Sequence, residues 1–221
     1  MIIVTGAAGI LGQAVVKELS AAGYSVAAVD LASEIADAGQ GLSKTGVDLT
    51  RADAVRTAFE AIVLEAGSLS GLVNVAGGFI WETIADGSLD SWDRMYAMNV
   101  QTAVNGCAAA LPYLRKDGGA IVNIAANGAV RADTGMAAYA ASKSGVMRLT
   151  EALAKEELHN GIRVNAVMPS IIDTPANRKD MPDAKFSDWV STKSLADVIG
   201  FLLSDKANAV TGACLPVTGR C

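Results

Sequence analysis

Histidine is nearly absent from this chain, which has one, His159, in 221 residues. The three cysteines, Cys107, Cys214 and Cys221, are an odd number without the spacing of metal ligands. No metal centre or disulfide framework is expected, and free thiols in a reducing compartment are. Aromatic residues make up only 5% and charged residues 19% of the chain. Lys and Arg total 18 against 23 Asp and Glu, a net charge of −5. No stretch gathers enough bases to follow a phosphate backbone, which argues against a nucleic-acid partner. No apolar run approaches the roughly 20 residues of a bilayer-spanning helix. Met1 leads straight into Ile2-Ile3-Val4, without the basic region and cleavage site of a secretory signal. A cytoplasmic protein without a membrane partner is expected.

Aliphatic residues, by contrast, are abundant, and 51% of the chain is hydrophobic. Short runs rich in Val and Ile, apolar on both faces, fall at 1–5, 25–30, 71–75, 120–125, 162–168 and 214–217. Such runs are the mark of parallel strands covered by helices on both sides. A further short strand is expected at 45–48. Segments of helical period lie between them at 11–22, 51–66, 89–115, 138–160 and 195–204. Thr50 is the expected N-cap of the second, and Asn160-Gly161 the stop of the fourth. This alternation predicts a single α/β domain over 1–221, a doubly wound parallel sheet with right-handed crossovers. Two long connections, 78–88 and 169–192, follow strands, where such sheets bind ligands.

The first strand runs into Thr5-Gly6-Ala7-Ala8-Gly9-Ile10-Leu11-Gly12 and then a helix. Gly6, Gly9 and Gly12 let the backbone turn tightly and come close to a pyrophosphate. The helix start, at Ile10 and Leu11, presents the positive end of its dipole there. Asp30 ends the second strand, 18 positions after Gly12, where a carboxylate binds the adenosine ribose hydroxyls. It repels a 2′-phosphate, and neither Ala7 nor Ala8 offers a compensating base, so NAD is expected over NADP. Asp48 and Leu49 are candidates for the adenine side. Asn74, Ala76 and Gly77, at the end of the fourth strand, are candidates for the passage of the cofactor over the backbone.

Tyr139 and Lys143 stand four apart, one turn apart on one helix face. A nearby ammonium favours the phenolate of a Tyr, whose ordinary pKa near 10 otherwise suits neutral catalysis poorly. With this pair in place, the chain resembles the short-chain dehydrogenase/reductase family from end to end. The resemblance is carried by Thr5–Gly12, Asp30, Asp48, Asn74–Gly77, Met98-Asn99-Val100, Ile121–Ile124, Tyr139–Lys143 and Arg163–Ala166. It implies a Rossmann-like sheet of about seven strands, Tyr139 as acid-base residue, Lys143 as its partner and Asn99 in a proton relay. It implies Pro169, Ile172 and Thr174 in a segment covering the cofactor, and a homodimer or homotetramer.

Three features depart from the family pattern. The middle glycine of the loop is at 9 instead of 10, and Val75 replaces a second Asn. The position of the family's catalytic Ser, thirteen before the Tyr, is Ala126. Asn127 beside it is a candidate substrate residue. Phe79 and Trp81 are candidates for stacking on a planar substrate, and Trp189 for anchoring the second long loop. The same departures, with 173–182 and Phe186–Trp189, resemble the quinonoid dihydropteridine reductase branch. The expectation is an NADH-dependent reductase of a planar or quinonoid small molecule. The alternatives are a carbonyl reductase or alcohol dehydrogenase for 3-oxoacyl or cyclic ketone substrates, and an NAD-binding protein without turnover.

Overall fold

The chain is seen here as a computed structural model that describes residues 1–36 and 41–220. The expectation for Cys221 lies outside them. The two-sidedly apolar runs become strands of one sheet: β1 (Ile2–Thr5), β2 (Val26–Val29), β4 (Gly71–Asn74), β5 (Gly119–Ile124), β6 (Ile162–Pro169) and β7 (Cys214–Val217), with β3 (Leu42–Lys44) at one edge. All pairings are parallel, in the order β3-β2-β1-β4-β5-β6-β7. The chain moves outward one way from β1 and the other way from β4, so a crevice opens between them at their carboxyl ends. There Thr5 pairs with Val29 and Asn74, and Asn74 with Asn123, in one register.

Helices α2 (Ala52–Ala66), α4 (Thr102–Asp117) and α5 (Ala137–Glu156) cover one face. Their apolar sides bury Phe59, Ile62, Leu114 and Leu153 against Ile3, Leu72 and Ile121. Helices α1 (Ile10–Ala21) and α7 (Thr192–Leu203) cover the other, where Val15, Leu19, Leu195, Ile199 and Leu202 meet Val4, Val73 and Val122. Helix α3 (Leu89–Met95) leads into α4, and the short α6 (Pro175–Asp180) lies inside the second long connection.

Four local expectations are corrected. The edge strand is Leu42–Lys44, not 45–48, because Gly46 turns the chain at φ 67°. Thr50 does not cap α2; its hydroxyl donates to Asp48 Oδ1 at 2.6 Å, and Arg51 holds the cap position without a side-chain bond. The expected long helix 89–115 is broken by a π-helical turn at Tyr96–Gln101. The helix expected over 138–160 ends at Glu156, followed by a 3₁₀ turn at Leu158–Asn160 and a left-handed Gly161 at φ 68°.

Candidate active site

The crevice at the β1/β4 switch point holds a cavity of about 720 Å³. Its wall on the β1 side is the glycine loop. Gly6 has φ 65°, and a Cβ there would lie 2.6 Å from Ala76 N. A Cβ on Gly12 would lie 2.1 Å from the Gly6 carbonyl oxygen, so only glycine closes this turn. Helix α1 starts behind it with Gly9 at the cap, no side-chain cap bond and no acid in the first turn. Its first N–H groups are thus left for an anion in the cavity. Asp30 stands across from the loop, accepting from Ala8 N and Ala32 N at 2.9 Å each. Asp48 lines the same end and accepts from Thr50 N at 2.9 Å.

The other end carries Tyr139 and Lys143. The early turns of α5 bring Tyr139 and Lys143 to the cavity wall. Lys143 is buried, and its ammonium donates to the Ile124 carbonyl at 2.7 Å. Burial pushes its pKa down to about 8, and pushes the Tyr139 phenol up to about 12. The phenol of the unliganded protein is therefore an acid holding its proton. The Phe79 ring stands edge-on to the Tyr139 ring, with centroids 4.9 Å apart at 87°.

Beneath these groups lies Asn99, inside the π-helical turn. Its Oδ1 accepts from Gly78 N at 3.0 Å, and its Nδ2 donates to the Gly78 carbonyl at 3.1 Å and Ser142 Oγ at 3.0 Å. The Ser142 hydroxyl in turn donates to the Tyr139 carbonyl at 2.7 Å. The Asn99 amide ties the 77–78 loop to α5. Ser142 and the Ile124 carbonyl were not singled out from the sequence. No local signal marks them, because their roles come from contacts with residues 19 to 43 positions away.

The cavity brings together Gly6, Gly9, Ile10, Leu11, Gly12, Asp30, Asp48, Leu49, Ala76, Gly77, Tyr139 and Lys143. It adds Phe79, Pro169, Ile172 and Thr174. Five sequence candidates lie off its wall. Asn74 is turned into the interior, donating to Asn123 Oδ1 at 2.9 Å, with Asn123 donating onward to Thr150. Asn99 is the buried strut just described. Trp81 lies on Gly135, Ala126 is buried, and Asn127 is exposed. The segment after β6 roofs the cavity. Thr174 caps α6 by accepting from Asn177 N, and Arg178 binds Asp173 through two bonds of 2.6 and 2.8 Å. Arg178 also lies 4.8 Å over the Phe186 ring, which packs on the buried Trp189.

Chain-wide likeness decides the family. The family described as "short chain dehydrogenase" matches residues 1–185. The chain belongs to the short-chain dehydrogenase/reductase family. It is 30% identical to a meso-2,3-butanediol dehydrogenase of Serratia marcescens, over 99% of this chain and 93% of that protein. It is 32% identical to the 2,5-dichloro-2,5-cyclohexadiene-1,4-diol dehydrogenase LinX of Sphingobium indicum, over 98% of this chain and 94% of that protein. A solved structure of ElxO with NADP bound superposes with a TM-score of 0.90 at 26% identity, covering 99% of this chain and 96% of the other. A nicotinamide cofactor follows from the family, and the close glycine loop, bare helix start and paired Tyr139 and Lys143 fit it. The described residues hold no group of three or more potential metal ligands and no helix long and apolar enough to cross a membrane.

Proposed function

We propose that this short-chain dehydrogenase/reductase is an NADH-dependent reductase of a small planar acceptor, quinonoid and dihydropteridine-like, with Tyr139 as proton donor. The carrying observation is the side chain of residue 126, a methyl group where the family places a hydroxyl. Three hydroxyls on the cavity wall are donated elsewhere, Thr50 to Asp48, Thr102 to the Met98 carbonyl and Ser170 to the Thr218 carbonyl. Loss of one such donor costs about 10²–10³ in rate where a carbonyl must be polarised. A conjugated quinonoid ring accepts hydride without it.

The bound nicotinamide would supply the hydride. The glycine loop and α1 would hold its pyrophosphate, and Asp30 the adenosine ribose, which favours NAD over NADP. Lys143 would hold the nicotinamide ribose and, charged, draw the Tyr139 pKa down from its unliganded value. Tyr139 would then release its proton to the ring nitrogen as hydride arrives. Phe79 offers a flat apolar face beside that proton, suited to a ring.

A second reading follows the relatives, whose names are those of diol dehydrogenases. In it the substrate is a secondary alcohol or cyclic ketone, turned over slowly without the missing hydroxyl. One assay separates them. NADH oxidation with a quinonoid dihydropterin should be saturable above background and fall at least 10²-fold in Tyr139→Phe. Ala126→Ser should leave that rate within about threefold, whereas under the second reading it raises ketone reduction tenfold or more. Cofactor binding with no acceptor reduced in either variant would point to a protein without turnover.

A further inference from the structure

We propose that Trp81 and Gly135 form a latch between the loop after β4 and the entry to α5, and that this latch sets the substrate size admitted at Tyr139. Gly135 lies two residues before α5 and four before Tyr139. It has φ 74°, and a Cβ there would fall 2.2 Å from the Trp81 ring, so the indole lies directly on the glycine backbone. One residue further along, Glu82 N donates to the Gly135 carbonyl at 2.9 Å. The same residue therefore receives a ring and a main-chain hydrogen bond from successive residues of the other loop.

That loop has its own bracing behind the latch. Glu82 Oε1 accepts from Ser88 N at 3.2 Å, and Thr83 Oγ1 donates to Asp86 Oδ2 at 2.7 Å. Phe79, two residues before Trp81, lies between the latch and Gly78, which Asn99 holds at both its N–H and its carbonyl, and its ring is the wall on Tyr139. Phe79 and Trp81 are 54% and 59% exposed, too open for core packing to hold them alone. The wall so placed selects against bulk on that side of Tyr139.

The inference rests on Tyr139 being the acid-base residue, and the experiment keeps the two apart. Acceptors are quinonoid 6-methyldihydropterin and its 6-phenyl analogue, with cyclohexane-1,2-dione and a decalin dione as a ketone pair. In Trp81→Ala the kcat/KM ratio of bulky to compact acceptor should rise tenfold or more, and Trp81→Phe should restore most of the selectivity. The ring carbon signal of Tyr139, labelled and assigned by its loss in Tyr139→Phe, gives a readout independent of any acceptor. It should titrate at lower pH in Trp81→Ala, since Phe79 no longer shields the phenol. Unchanged ratio and unchanged titration in a variant that melts like the parent would overturn the latch. If Tyr139→Phe keeps full activity, the acid-base reading fails while the titration still decides the latch.

Discussion

Lys143 is a residue whose service and stability oppose each other. Its amine is buried, with a carbonyl for company and no carboxylate, and its pKa falls to about 8 from an ordinary 10.5. Below pH 8 both folded and unfolded chains bind the proton, and the folded state carries the whole desolvation cost. Between pH 8 and 10.5 the unfolded chain binds more protons, so stability rises with pH in that window. Lys143→Met should lose activity yet raise the unliganded protein's stability at pH 7 by on the order of 1–2 kcal/mol. The gain should shrink toward pH 10, as read by denaturant melts across pH. The residue types at 139 and 143, with their spacing, were legible in the sequence. Asn74 and Ala126 show the limit: the sequence places both near the cavity, but only packing shows Asn74 turned into the interior and Ala126 buried.

Among the elements, strand positions followed from aliphatic runs, since burial on both faces leaves little choice of period. Helix ends were less legible, because tertiary bonds compete for the capping groups. Thr50 shows this, since its hydroxyl binds Asp48 instead of the start of α2. The π-helical turn at Tyr96–Gln101 had no local signal, as the residues that hold it open lie on the loop after β4 and on α5. A second tie between elements joins α4 to the end of α5. Glu157, buried, accepts from Arg115 through two bonds and from Asn160 Nδ2 at 2.8 Å. The Arg115 guanidinium holds its carboxyl below the usual range. The pair therefore stabilises above the ordinary carboxylate pKa, and that contribution is lost as pH falls through the lowered value. Arg115→Ala strands a buried carboxylate and should destabilise the fold at pH 7 more than Glu157→Gln does, because Arg115 keeps access to water. Equal costs in chemical denaturation would refute that asymmetry.

At the scale of the whole molecule, the doubly wound sheet was legible from strand-helix alternation, and its seven-strand order conforms to the switch-point rule. The last described residues were not, since their partners lie on the roof of the cavity. Ser170 Oγ donates to the Thr218 carbonyl at 2.8 Å, and Arg220 N to the Asp188 carbonyl at 2.9 Å. Gly219, at φ 64°, passes so close that a Cβ would lie 2.7 Å from Asp188 O. The tail thus clamps both feet of the roof, at 170 and at 188. Truncation after Thr218 should speed amide exchange across 171–190 and raise the cofactor KM severalfold, with kcat reduced less. Exchange unchanged in the truncated protein would show that the foot at 188 does not depend on this clamp.

The two backbone bonds of Asp30 bear on redesign. Its carboxylate fastens the glycine loop, through Ala8, and is also the group proposed to receive a ribose. A single substitution made to admit a 2′-phosphate would also unfasten the loop proposed to hold the pyrophosphate. Asp30→Ser should therefore weaken both dinucleotides instead of exchanging one for the other. Reversal of preference would need a partner change that returns an acceptor to Ala8, a coupled pair of mutations where evolution or an engineer would look first for one.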